Sequence, residues 1–267
     1  MTSFAGRTVL ISGASTGIGR SLALALAAER ARLALNARDE TRLAEAADAC
    51  AARGAEVLAL AGDVAREDEC ARLVAQTVER FGALDVLVNN AGFTMWSRFD
   101  AISDLGVFQR LLATNYLGAV YLTAEALPHL KRARGLIVAV ASIAGLTGVP
   151  ERTGYAASKH AMVGFFESLR IELAASGVGV TIIAPDFVVS EIHRRAIGPD
   201  GAPLGHSPMQ EPHIMSADEC AALIVGAMRR RQRLLITSAR GRLGRWARLI
   251  APALVDGIAA RAIRDRR

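Results

Sequence analysis

The chain has 267 residues, 52% of them hydrophobic and 22% charged, so it can bury a sizeable core and is not disordered. Its 3 cysteines form no C-x-x-C pair, which excludes a disulfide scaffold or a cysteine-rich zinc site and favours a reducing compartment. The net charge of +6 is uneven: residues 229–267 carry twelve Arg against Asp256 and Asp265, leaving a mildly acidic body that excludes a uniformly basic nucleic-acid-binding domain.

The elements follow in order. Residues 8–12 read as a strand, 18–30 as a helix and 32–36 as a second strand. Asp39 is a plausible N-cap for a helix over 40–53. A strand over 56–60, a helix over 67–81 and a strand over 84–88 come next. One long helix is expected over 104–131, then a strand over 136–141, a helix over 153–176 and a strand over 180–183. Residues 186–215, with four prolines, read as a long loop or lid. A helix over 217–231 and a strand over 233–236 lead to a helical tail, 240–267, interrupted at Pro252.

This alternation predicts a doubly wound α/β Rossmann fold, a seven-stranded, mainly parallel sheet with helices on both faces. One domain spanning 1–267 is expected, with 186–215 as lid and 238–267 as a basic tail. No run approaches ~18 uninterrupted apolar residues, so no membrane-spanning helix is expected. The first strand starts too early for a signal peptide, so a cytoplasmic location is expected.

The first strand runs into Gly13-x-x-x-Gly17-x-Gly19. Glycines here let the chain turn sharply and approach a pyrophosphate, while the next helix points its positive end at the same place. Ser15 and Thr16 add hydroxyl donors. The alternative is a glycine turn needed only for strand–helix packing. The second strand ends Leu35-Asn36-Ala37-Arg38, with no acid to hold a ribose 2′-hydroxyl and an Arg to meet a 2′-phosphate. This favours NADP(H), with NAD(H) still possible. Asp39 is the awkward neighbour, unless capping turns it away.

Tyr155 and Lys159 lie at i and i+4 and project from one helix face. Lys159 is one of only two lysines. An ammonium ~4 Å from a phenol, at an effective dielectric of ~20, is worth ~4 kcal/mol, or ~3 pKa units before desolvation opposes it. That would bring a tyrosine near working pH as an acid or base.

Taken together, the glycine loop, Asn89-Asn90-Ala91-Gly92, Ser142 and Tyr155-x-x-x-Lys159 resemble the short-chain dehydrogenase/reductase family, from about Thr8 to Ile236. The resemblance implies that Tyr155 exchanges a proton with the substrate oxygen and that Ser142 hydrogen-bonds it. Lys159 would lower the Tyr155 pKa and hold the nicotinamide ribose. Asn115 would hold a water in the proton relay. Gly13, Ser15, Thr16, Gly17, Ile18 and Gly19 would cradle the pyrophosphate, and Arg38 the 2′-phosphate. Asp63 and Val64 would contact adenine, and Asn90, Ala91 and Gly92 would line the cofactor floor. Pro185, Val188 and Ser190 would border the nicotinamide. The family's usual Pro-Gly is Pro185-Asp186 here, and Ser190 replaces its usual Thr. Asp186 is either a tolerated turn residue or a substrate contact.

The expected activity is reversible hydride transfer between a nicotinamide and a carbonyl or secondary alcohol. Apolar lid residues, among them Phe187, Val188, Ile192 and Met209, favour a hydrophobic, lipid- or steroid-like ketone. A cofactor-binding sensor or scaffold without turnover is the alternative. The resemblance also implies a homodimer or homotetramer. His193, His206 and His213 match no metal spacing, and neither a metal nor a nucleic acid is expected. In the tail, Trp246, Leu249 and Ile250 can share a face flanked by Arg242, Arg245 and Arg248. Peripheral membrane contact, an oligomer arm and packing on the chain's own domain all fit that pattern.

Overall fold

The computed structural model describes residues 3–207 and 214–264, the last three by backbone alone. Strands and helices alternate: β1 (Thr8–Ser12), α1 (Gly17–Ala28), β2 (Arg32–Ala37), α2 (Glu40–Ala51), β3 (Glu56–Ala61), α3 (Glu67–Phe81) and β4 (Val86–Asn89). There follow α4 (Gly106–Leu112), α5 (Gly118–Ala133), β5 (Leu136–Val140), α6 (Thr153–Glu172), β6 (Gly179–Ala184), α7 (Ala217–Arg229) and β7 (Leu234–Ile236). The chain then enters α8 (Ala239–Ile250) and α9 (Pro252–Arg264).

The seven strands form one parallel sheet in the order β3-β2-β1-β4-β5-β6-β7. Successive strand residues alternate between its faces. Val9 and Ile11 of β1 join a core with Leu22, Leu43 and Ile224 from α1, α2 and α7. Leu10 joins a second core with Leu73, Leu122 and Phe166 from α3, α5 and α6. Each such side chain contributes roughly 1.5–3 kcal/mol when fully buried, which is why the strands read as unbroken apolar runs. The strand order reverses between β1 and β4, which opens a crevice at the carboxyl ends of the strands.

Three expectations change in detail. The helix expected over 104–131 is α4 and α5 joined by a π-helical turn, Ala113–Leu117. The helix expected over 153–176 stops at Glu172 and continues only as a 3-10 turn, Ala174–Ser176. Pro252 starts α9, the helical position where its missing N–H is not needed.

Within 186–215 the described backbone is irregular, tied by isolated bridges of Val188 to Met215 and of Ile197 to Met95. Pro208, Met209, Pro212 and His213 lie outside the described residues. The tail has two sides. Gly241 of α8 is buried, while Trp246 is 65% and Ile250 83% exposed. Packing on the chain's own fold therefore accounts for the start of α8 and not for its apolar stripe.

Candidate active site

The turn after β1 holds Gly13 and Gly17 at φ 66° and 54°, where a side chain would be strained. A Cβ on Gly19 would collide with the Gly13 carbonyl and sit 2.5 Å from Asn90 Nδ2. Thr16 precedes α1 without capping it through its side chain, so the first amides of that helix face the crevice end uncapped by it. This is a close-approach cradle suited to a pyrophosphate.

Ser12 and Asn90 knit the cradle to the end of β4. Ser12 Oγ accepts from the amides of Asn90 and Ala91 at 3.0 and 3.1 Å. Asn90 Nδ2 donates to the carbonyls of Ser12 and Gly13 at 2.9 and 3.0 Å. The Asn90 side chain is thus occupied in shaping the loop.

At the other end of the crevice floor, Arg38 leaves β2 with its side chain 67% exposed and Asp63 Oδ2 3.9 Å away. Asn36 is buried and donates to the carbonyls of Leu60 and Gly62. Asp39 Oδ1 accepts from the Arg42 amide at 3.1 Å, so its carboxylate does cap α2. Asp63 Oδ1 accepts from the Ala65 amide, and Val64 is buried against Gly118.

Tyr155 and Lys159 are both buried on α6. Burial pushes the Tyr155 phenol above its ordinary 10, while a hydrogen bond with Ser142 and the positive charge of Arg152 pull it back. Burial lowers Lys159 from 10.5 to about 8. Its Nζ donates to the Val140 carbonyl at 2.9 Å and lies 5.9 Å from the Tyr155 ring centroid. Desolvation dominates the titration of both groups. Ser142 stands in extended backbone at the end of β5, where its Oγ accepts from the Ala144 amide.

Asn115 sits in the π-helical turn, fully buried. Its Oδ1 accepts from the Phe93 amide, and its Nδ2 donates to the Phe93 carbonyl and to Ser158 Oγ, all at 3.0 Å. Ser158 Oγ in turn donates to the Tyr155 carbonyl at 2.8 Å. A Cβ on Gly92 would lie 2.8 Å from Asn115 Oδ1 and 3.6 Å from Lys159 Nζ, so those two groups flank one glycine. Extra turns of π-helix recur at functional sites because they re-aim a side chain.

The loop after β6 completes the ring. The Pro185 carbonyl accepts from the Ile143 amide at 2.9 Å, which joins it to the turn after Ser142. Val188 is buried, and Ser190 Cβ stands 3.2 Å from where a Gly17 Cβ would be. The residues at the ends of β1, β4, β5 and β6 thus gather around one crevice, with Arg38, Asp63 and Val64 at its far end.

Sequence reasoning missed one cluster. Arg152, buried at the N-cap of α6, lies 4.0 Å over the Trp96 ring and 5.9 Å from the Tyr155 ring centroid. Its Nη2 is 3.3 Å from His193 Nδ1. A guanidinium only donates, so Nδ1 is the acceptor in that contact. The preceding residue, Glu151, has φ 63° and accepts from Trp96 Nε1. The available signal was spacing: Arg152 precedes Tyr155 by three residues, one helical turn. Among 30 arginines it did not stand out.

Among the described residues, no group of three or more His, Cys, Asp or Glu could hold a metal, and no helix is long and apolar enough to cross a membrane.

A family model described as short chain dehydrogenase matches residues 7–198. An 11-beta-hydroxysteroid dehydrogenase-like 4A from Arabidopsis thaliana is 41% identical over 251 residues, covering 94% of this chain and 82% of that protein. An 11-beta-hydroxysteroid dehydrogenase 1A from the same plant is 37% identical over 258 residues, covering 94% and 74%. The crystal structure of a short chain dehydrogenase/reductase from Burkholderia phymatum in complex with NAD matches with a TM-score of 0.83 at 26% identity, covering 95% of this chain and 96% of that one. An alcohol dehydrogenase from the archaeon Thermococcus sibiricus, complexed with 5-hydroxy-NADP, matches at 0.76 and 26% identity, covering 86% and 95%.

Proposed function

The chain belongs to the short-chain dehydrogenase/reductase family, and we propose that it interconverts a hydrophobic ketone and its secondary alcohol with NADP(H) as the preferred cofactor. It is an oxidoreductase of the CH–OH/C=O class that uses a nicotinamide cofactor. One observation carries the chemistry: a buried phenol hydrogen-bonded with Ser142 shares a helix with a buried lysine, beside a glycine cradle.

When bound, the nicotinamide supplies a hydride to the carbonyl carbon or accepts one from the alcohol. The side chains do the rest. Tyr155 gives its phenolic proton to the carbonyl oxygen, and its phenolate takes one back in oxidation. The Ser142 hydroxyl holds the same oxygen. Lys159, lowered to about 8, stabilises the phenolate and holds the nicotinamide ribose. Asn115 anchors the water that refills the relay.

For the cofactor, Gly13, Ser15, Thr16, Gly17, Ile18 and Gly19 receive the pyrophosphate. Asp63 and Val64 flank adenine, Asn90, Ala91 and Gly92 form the floor, and Pro185, Val188 and Ser190 border the nicotinamide. The preference for NADP(H) is supported by the exposed Arg38 and by Asp39, whose carboxylate is occupied in capping α2. NAD(H) still fits the rest of the cradle. A hydrophobic substrate is supported by the buried cluster of Met95, Val107, Leu111, Ala144 and Tyr155, with Phe93 and Phe108 packed against it. The chain acts as one unit, with the described part of 186–215 as lid over this wall.

The test is consumption of NADPH by purified protein against a panel of apolar ketones. Tyr155→Phe should lower the rate about a thousandfold and leave NADPH affinity within a few-fold. An undiminished rate in the variant refutes the mechanism.

We also propose a homodimer or homotetramer, checked by light scattering, and peripheral contact with an anionic bilayer through the tail. Leu243, Trp246, Leu249, Ile250, Leu254 and Ile258 are all exposed on α8 and α9, and α8 carries four Arg and no acid. A polybasic surface gains roughly 1 kcal/mol per Arg at an anionic leaflet. Wild-type protein that ignores anionic vesicles at low salt refutes the membrane contact.

A further inference from the structure

We propose that Asp186 is a positioning residue that makes α8 part of the active-site wall, by clasping the start of that helix to the loop after β6. The proposal rests on the reading of residues 185–190 as the nicotinamide end of the site.

Asp186 is not among the residues with positive φ, so the backbone here does not require the glycine usual at this position. The carboxylate instead makes specific contacts. Ser238 Oγ donates to Asp186 Oδ2 at 2.7 Å, and Arg240 Nη2 donates to both carboxylate oxygens at 3.0 Å. The Asp186 amide donates to Thr237 Oγ1 at 3.1 Å. Thr237, Ser238 and Arg240 are consecutive or nearly so at the junction of β7 and α8, so one residue staples that whole junction.

Ser238 is also the N-cap of α8, where its Oγ accepts from the Gly241 amide. Asp186 thus fixes the orientation of the capping hydroxyl and places a negative charge at the positive end of the helix. The Asp186 side chain is 12% exposed and that of Arg240 74%. The arginine contact is therefore the weaker part, and the part-buried Ser238 bond the stronger.

From this anchor α8 reaches the other side of the site. A Cβ on Gly241 would lie 3.1 Å from Ile143 Cδ1, and Arg248 Nη1 donates to Thr147 Oγ1 at 2.8 Å. Ile143 follows Ser142 directly, and its amide donates to the Pro185 carbonyl. One helix therefore braces the turn that carries Ser142 and the loop that carries Val188 and Ser190. Arg240 adds a contact 5.9 Å over the Phe187 ring, which lies 5.4 Å from the Arg152 guanidinium beside Tyr155.

The test compares Asp186→Gly with wild type, with Arg261→Ala as a tail control that touches none of these groups. Hydrogen exchange in the free protein should quicken about tenfold at both 185–190 and 143–147 in Asp186→Gly, and not in the control. The NADPH dissociation constant should rise about tenfold, and KM for NADPH with it, while kcat changes less than threefold. If Asp186→Gly does not fold, the double variant Ser238→Ala with Arg240→Ala carries the same expectation from the helix side. Unchanged exchange at 143–147, or NADPH affinity within twofold of wild type, overturns the proposal. A wild-type protein that binds no nicotinamide cofactor would defeat the functional reading instead, and the exchange measurement would still decide the clasp.

Discussion

Lys159 should lower the stability of the fold that needs it. The folded chain buries this amine completely beneath the site and brings its pKa from 10.5 down to about 8. Below pH 8 both folded and unfolded chains hold the proton, so the folded state carries the full cost of a buried cation. As pH rises from about 8 towards 10.5 the folded chain releases the proton first, and the cost fades. The shift corresponds to about 3 kcal/mol at pH 7 and less than about 1 kcal/mol at pH 10. Lys159→Met removes the charge and keeps much of the volume. It also loses the bond to the Val140 carbonyl, which offsets about 1 kcal/mol. The net gain is about 2 kcal/mol at pH 7, or a rise in Tm of about 5 °C at this chain length. Thermal unfolding followed by circular dichroism at pH 7 and at pH 10 measures it. The inactive variant should melt higher at pH 7, with the difference shrinking or reversing at pH 10. A variant that melts lower at pH 7, or a difference independent of pH, would show that Lys159 is not held against its solvation.

Three further outcomes are expected. Gly19→Ala places a Cβ against the Gly13 carbonyl and Asn90 Nδ2, and should abolish cofactor binding in isothermal titration. Arg38→Ala should weaken NADPH about ten- to hundredfold and leave NADH unchanged, read by fluorescence titration; equal NADPH affinity removes Arg38 from the site. Cys50, Cys70 and Cys220 are buried, with thiols pushed up to about 11, 12 and 12, so a thiol reagent at pH 8 should modify them only after denaturant is added. Fast modification of the native protein would contradict that burial.

Much of this molecule is written locally. The unbroken apolar runs at 86–88 and Leu136–Val140 announce doubly covered strands, because a parallel sheet exposes neither face. The spacing of Tyr155 and Lys159 places them on one helix face whatever that helix packs against. Gly13 and Gly17 hold a positive φ and Gly19 closes on the Gly13 carbonyl, so the turn's own backbone selects glycine. Local pattern therefore determined the class of fold, the glycine cradle and the tyrosine–lysine pair.

Tertiary packing decided what those parts touch. The π-helical turn at Asn115 has no sequence period of its own; it is held by bonds to Phe93 and Ser158, 22 and 43 residues away along the chain. Lys159 binds the Val140 carbonyl of a neighbouring strand, and the desolvation that shifts both Lys159 and Tyr155 comes from what packs around them. Arg152 gains its place beside Tyr155 only where Trp96 and His193 converge from distant loops. Asp186 reads as a substitution in a turn until β7 lies against β6 and brings Ser238 and Arg240 within reach. Local periodicity fixes the direction of a side chain from its own element. Its partners come from strand order and helix packing, which sum weak contacts across the whole chain, and no short window of sequence contains them.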